Sequence, residues 1–128
     1  MENPSGKSAL GLDPNVAAGL AYIPICAVGL IMSIIILVTD KTNKLARFHA
    51  FQSLLLMAVS IVLYFGAAFI FGIAAAANSG ALTLLGSLIW FVVVIGIFIA
   101  VVFCCIKAFM GQVFKLPIIG NLADNWSN

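Results

Sequence analysis

One histidine, His49, stands in a run of residues able to do chemistry in otherwise apolar sequence. At 100° per residue on a helix, Ser53, Ser60 and Tyr64 lie within about 60° of it, with Gln52 flanking the same face. His49, Gln52, Ser53, Ser60 and Tyr64 therefore make a polar stripe that starts at the headgroups and descends into apolar sequence. Polar groups in lipid need partners, so the stripe faces protein or trapped water. Two readings compete for it. One is a site: a polar path, a lipid-headgroup contact, or His49 as ligand to a cofactor such as a pigment. The other is interhelical hydrogen bonding. No carboxylate lies near in sequence to orient the imidazole except Asp40, across a turn. No cofactor is predicted from the residues themselves, and contact with pigment or lipid stays open. No metal site is predicted either: the three cysteines, Cys26, Cys104 and Cys105, all sit in apolar runs with no CxxC or Cys/His cluster.

Just before His49 come Lys41, Lys44 and Arg47, half of the six basic residues. They suit anionic headgroups, at about 1 kcal/mol per cation near a charged leaflet. Equally, they suit a topology signal.

The elements around this stretch follow from composition. The chain has 128 residues, 64% of them hydrophobic and 8% charged. Soluble domains run at roughly 45–50% apolar and 25% charged, so the bilayer is the solvent here. Nucleic-acid binding has no support, because no basic groove with interleaved aromatics exists. HExxH, GxSxG, a phosphate-binding glycine loop and paired intramembrane acids are all missing, which speaks against an enzyme or a proton-coupled pump.

The expected fold is all-α, with three transmembrane helices over about 14–39, 44–77 and 81–108. Residues 1–12 read as a flexible tail and not as a signal peptide. The transmembrane domain covers 13–111, and 112–128 form an amphipathic, interfacial tail. Asp13-Pro14 reads as a helix start. Pro24 kinks the first span, or alternatively separates a short interfacial helix from a steeper one. Thr42 or Asn43 caps the second helix, and Asn78-Ser79-Gly80 breaks the second span from the third. Small residues mark packing faces: Gly29 and Ser33 on the first span, Ala68, Gly72 and Ala76 on the second, and Gly96, Ala100 and Cys104 on the third. Three spans put Lys41, Lys44, Arg47, Lys107 and Lys115 on one side and Lys7 on the other. The positive-inside rule then places the N-terminus outside and the C-terminus in the cytoplasm.

Asp13-Pro14-Asn15-Val16-Ala17, the run Arg47-Phe48-His49-Ala50-Phe51-Gln52-Ser53 and the run Lys115-Leu116-Pro117-Ile118-Ile119-Gly120 resemble a family of small bacterial membrane proteins. That family is similar to the chloroplast inner-envelope import component, the Tic-twenty-like group. The resemblance implies an all-helical fold, a multi-pass place in the bacterial cytoplasmic (inner) membrane, and a link to protein translocation or membrane-protein assembly. It brings no catalytic residues. Two other functions fit the residues. One is a small accessory subunit of a larger energy-transducing or photosynthetic complex. The other is a channel or transporter, which needs a homo-oligomer. The expected partners are lipids and other membrane subunits or further copies of the chain.

Overall fold

The computed structural model describes residues 6–8, 10–23 and 28–127. Among these residues the fold is all-helical, in the order α1 (Pro14–Leu20), α2 (Val28–Thr39), α3 (Lys44–Ala76), α4 (Gly80–Phe109) and α5 (Ile119–Ser127). Two helices, α3 and α4, are long and apolar enough to cross a membrane. The chain divides into two units, Met1–Leu56 with Val101–Asn128, and Met57–Ala100. We call them the polar unit and the apolar unit, because residues 57–100 contain no Asp, Glu, Lys, Arg or His.

The polar unit departs from the single kinked span expected over 14–39 and agrees with the alternative in having a short helix set apart from the next. That stretch forms two helices, with Pro24 and Cys26 between them and outside the described residues. The α1 helix runs from the end of α4 inwards. Asn15 lies against Gly111, Gly19 against the Phe109 ring, and the Cys105 thiol 3.7 Å from the Gly19 carbonyl. The α2 helix returns beside α3, with Ser33 opposite Ser53 and Asp40 bonded to Asn43 at the turn. Ala17 and Ala21 share a buried cluster with Ile36, Ala46 and Ala50. So α1 and α2 are antiparallel, and the start of α1 lies at the same end as the finish of α2 and of α4. Twelve residues of α2 span about 18 Å, short of the roughly 30 Å hydrocarbon core. Two long apolar helices and the shorter α2 therefore stand where three full spans were expected.

Close backbone contact makes this fold-back possible. The Gly29 N–H donates to the Ile23 carbonyl at 2.9 Å. A Cβ on Gly29 would sit 2.7 Å from the carbonyl oxygens of both Ala21 and Ile23. The helix is also turned inside out by the standard of soluble proteins. Gly29, Ser33 and Ile36 face inward, while Val28, Ile31, Ile34 and Val38 are exposed. This is what a lipid environment asks for: small and polar residues pack, and bulky apolar ones meet the acyl chains.

Local chemistry sets the remaining boundaries. Pro14 opens α1, although the Asp13 side chain makes no capping bond. Ser8 and Leu12 close a turn ahead of it, the Ser8 N–H donating to the Leu12 carbonyl at 2.8 Å. Asn43 caps α3, its Oδ1 accepting the Ala46 N–H at 3.2 Å. Asn78 takes the left-handed conformation between α3 and α4. Gly111 does so after α4, where Gln112 N–H reaches back to Lys107 and Gly111 N–H to Ala108, a Schellman stop.

The glycines give a paired test. Gly29→Ala should cost about 1–3 kcal/mol in thermal or denaturant unfolding in detergent, because two carbonyls must move. Gly66→Ala, with nothing within 4 Å of its new carbon, should be neutral or gain up to about 1 kcal/mol. Equal effects at the two sites would rule out the tight fold-back.

Candidate functional site

His49, Gln52 and Ser53 are all buried in the polar unit, with His49 and Gln52 fully so. They sit one turn into α3, where Asn43 starts the helix and fixes its rotation. Tyr22, in the turn just after α1, reaches them. Its hydroxyl lies 3.2 Å from His49 Nδ1 and accepts from Gln52 Nε2 at 3.1 Å. The amide of Gln52 also donates to the Phe114 carbonyl at 3.0 Å and approaches the Cys104 sulfur at 3.6 Å. One glutamine thus ties α1, α3, α4 and the stretch after α4 together.

The Tyr22 hydroxyl and His49 Nδ1 share one hydrogen bond, whose direction follows the imidazole tautomer. Gln52 Oε1 is buried and meets no hydrogen-bond partner among the described residues, while the Gln112 backbone lies close to the buried His49 ring. The ring is further held edge-on by Tyr22 and Phe48, at centroid distances of 5.7 and 5.1 Å. Beside this network, the hydroxyls of Ser33 and Ser53 lie 2.7 Å apart, and each also donates or can donate to its own helix, at Gly29 and Ala50.

The sequence stripe therefore divides. His49, Gln52 and Ser53 belong to the polar unit, while Ser60 and Tyr64 belong to the apolar unit. There they line a cavity of about 370 Å³ between α3 and α4, with Met57, Phe65, Trp90 and Val94 among its walls. The Tyr64 and Trp90 rings lie 6.0 Å apart across it.

The small residues also divide. Gly29 and Ser33 are in the fold-back, and Cys104 is fully buried in a cluster with Ala18, Tyr22, Leu56 and Ala108. Ala68 and Ala100 are partly buried, whereas Gly72, Ala76 and Gly96 are exposed, with open space around both glycines. The close approach of α3 and α4 falls at Gly86, where a Cβ would lie 3.1 Å from that of Ala74.

The cations Lys41, Lys44, Arg47, Lys107 and Lys115 are all in the polar unit, and so is Lys7. Arg47 donates to the Asp40 carbonyl at 3.4 Å and lies over the Phe51 ring. Lys107 bonds Gln112, and Lys115 pairs with Asp124 at 2.7 Å. Among the described residues no three His, Cys, Asp or Glu side chains gather as metal ligands would.

Sequence reasoning missed Tyr22 and the Phe114 carbonyl. Tyr22 carried a usable signal: it is one of two tyrosines, its hydroxyl lies in an apolar run, and such a group must find a partner. The carbonyl carried none, because any residue supplies one.

Residues 13–123 match the magnetosome magnetite crystal formation protein family. The chain is also similar to a UPF0132 membrane protein of Methanocaldococcus jannaschii, with 35% identity over 95% of this chain and 96% of the relative. It is 31% identical to a UPF0132 membrane protein of Archaeoglobus fulgidus, over 86% of this chain and 91% of that one. No solved structure matches. These findings overturn the Tic-twenty-like resemblance: the family matched is a different one, and the relatives are archaeal, so the family is not confined to bacteria. With nearly all of α1 to α5 inside the match, the chain belongs to the magnetosome magnetite crystal formation (MamF/MmsF) family of small membrane proteins.

Proposed function

We propose that this chain is a non-enzymatic, multi-pass protein of the cytoplasmic membrane that works by association, as a small subunit packed against other membrane proteins or further copies of itself. The apolar unit carries this reading. Of its 44 residues only Ala67 and Gly86 are buried, and its large side chains point outward. A helix pair with so little interior of its own relies on lipid and on neighbours. The open glycines Gly72 and Gly96 would let a neighbour's backbone come close.

The polar unit supports the non-enzymatic half of the proposal. Its one imidazole is enclosed, spends Nδ1 on a tyrosine, and has no carboxylate to work with. The cluster locks elements together where an enzyme would open a cleft to substrate. The family's description concerns magnetite crystal formation; from the relatives' names we carry over membrane residence only. Three gathered ligands on which to rest iron handling are missing among the described residues.

The fold-back also sets the orientation we propose. With α1 and α2 antiparallel, the residues before α1, the α2–α3 turn and the stretch after α4 share one side. All six basic residues then fall on that side, against the five-to-one division that three spans give. The positive-inside rule makes it the cytoplasmic side.

Three measurements test these statements. With single cysteines read by an impermeant thiol reagent, Lys7→Cys and Lys41→Cys should label from the same face and Asn78→Cys from the other; opposite faces for the first two would restore three spans. Native mass measurement after mild-detergent extraction should show an oligomer or a stoichiometric complex. Gly72→Leu or Gly96→Leu should shift that mass downward without loss of helicity, and a monomeric parent would defeat the association reading. Finally, Tyr22→Phe strands Gln52 and His49 together and should cost about 1–3 kcal/mol of stability. Its effect combined with Gln52→Leu should fall short of additivity by about 1 kcal/mol. A Tyr22→Phe protein of unchanged stability would remove the lock.

A further inference from the structure

The helix α5 divides into three sectors at 100° per residue. Gly120, Ala123 and Ser127 are buried against the rest of the polar unit. Asn121, Asp124 and Asn125 form a polar sector. The third holds Leu122 and Trp126, with Ile118 one turn earlier and joined by the Leu122 N–H bond to the Ile118 carbonyl at 3.3 Å. These three are bulky, apolar and exposed, at 84% for Ile118, 38% for Leu122 and 48% for Trp126. A helix with one edge on protein, one on polar solvent and one bare and apolar is built to lie in the plane of a membrane surface.

The sector does not stand alone. The Trp126 ring meets the Phe51 ring edge-on at 5.9 Å, and the Arg47 guanidinium lies 5.7 Å from the centre of the same Phe51 ring. So a cation, a buttressing ring and an indole form a continuous row leading onto the apolar face. The salt bridge of Lys115 to Asp124 pins α5 in this position, and Gly120 admits the Lys115 backbone, which a Cβ would meet at 2.5 Å.

We propose that Arg47, Phe51 and Trp126, with the Ile118–Leu122 face of α5, seat an anionic phospholipid. Arg47 takes the phosphate through its forked N–H donors, Trp126 sits at the glycerol level with its indole N–H toward the ester region, and the acyl chains run over Ile118 and Leu122. Charge decides between occupants. The formal net charge of +2 resides entirely in the polar unit, because the apolar unit has no Asp, Glu, Lys, Arg or His. A second copy would bring the same positive charge to this face. A zwitterionic lipid would leave it uncompensated.

This inference rests on the membrane reading above, and it is indifferent to orientation and oligomeric state. It is tested on the full chain carrying Trp90→Phe, which leaves Trp126 as the only indole. The protein is placed in bilayers with the same lipids in both leaflets, containing phosphatidylglycerol or phosphatidylcholine brominated high on the acyl chain. Brominated phosphatidylglycerol should reach half-maximal quenching at about a fivefold lower mole fraction, the ratio expected for one cation near an anionic surface. Arg47→Gln should merge the two curves. Raised salt should narrow the gap in the Trp90→Phe protein itself, which keeps the test decisive if the arginine variant misfolds. Coincident curves at low salt would overturn the proposal. So would Trp126 emission that neither lipid quenches, the outcome expected if a protein partner covers this face.

Discussion

A polar atom inside a bilayer has nowhere to turn except to its own protein, and this constraint shapes the polar unit. Tyr22, His49, Gln52, Ser33 and Ser53 are buried together because each would otherwise face hydrocarbon. Gln52 is the extreme case. Its amide reaches α1, α4 and the backbone after α4 from a single position on α3. A few large apolar residues, Ile36, Leu45, Phe48 and Leu56, are buried with them, while Ile31, Ile34 and Val38 of α2 stay exposed. The small residues Ala17, Ala18, Ala46, Ala50 and Ala108 also fill the interior, so that helices come close enough for the polar side chains to meet.

Much of this was legible in the sequence, and what was not had a physical reason. Composition gave a membrane protein, and the charge-free stretch broken at Asn78 gave the two long helices almost to the residue. A cap at Thr42 or Asn43 follows from side-chain chemistry, and the structure uses Asn43. The first apolar run misled because its 23 residues, Val16 to Val38, have the length and hydropathy of one span. Nothing in hydropathy separates a span from two shorter helices laid side by side. The separating feature is Gly29 meeting two carbonyls, a three-dimensional fact. Likewise His49, Gln52 and Ser53 were found on one face, but that face continues to Ser60 and Tyr64 with no mark in the sequence where protein contact gives way to a cavity.

The relatives sharpen this picture without completing it. An archaeal protein aligned over nearly the whole length of both chains means that the fold-back, the long helices and α5 are compared as a set. A family description drawn from crystal formation in one organelle therefore sits on an architecture with a wider distribution.

The placement of Tyr22 has a consequence for how such a chain is made. The segment that carries it leaves the ribosome early, yet its partners are Gln52, Cys104 and the segment around Phe114, synthesised 30 to about 90 residues later. The first two helices cannot finish packing when they emerge. Their packing is completed only once α3 and α4 are present. A segment made late thus helps to close one made early: without the stretch after Phe109, Gln52 would keep Tyr22 but lose the Phe114 carbonyl that takes its other N–H.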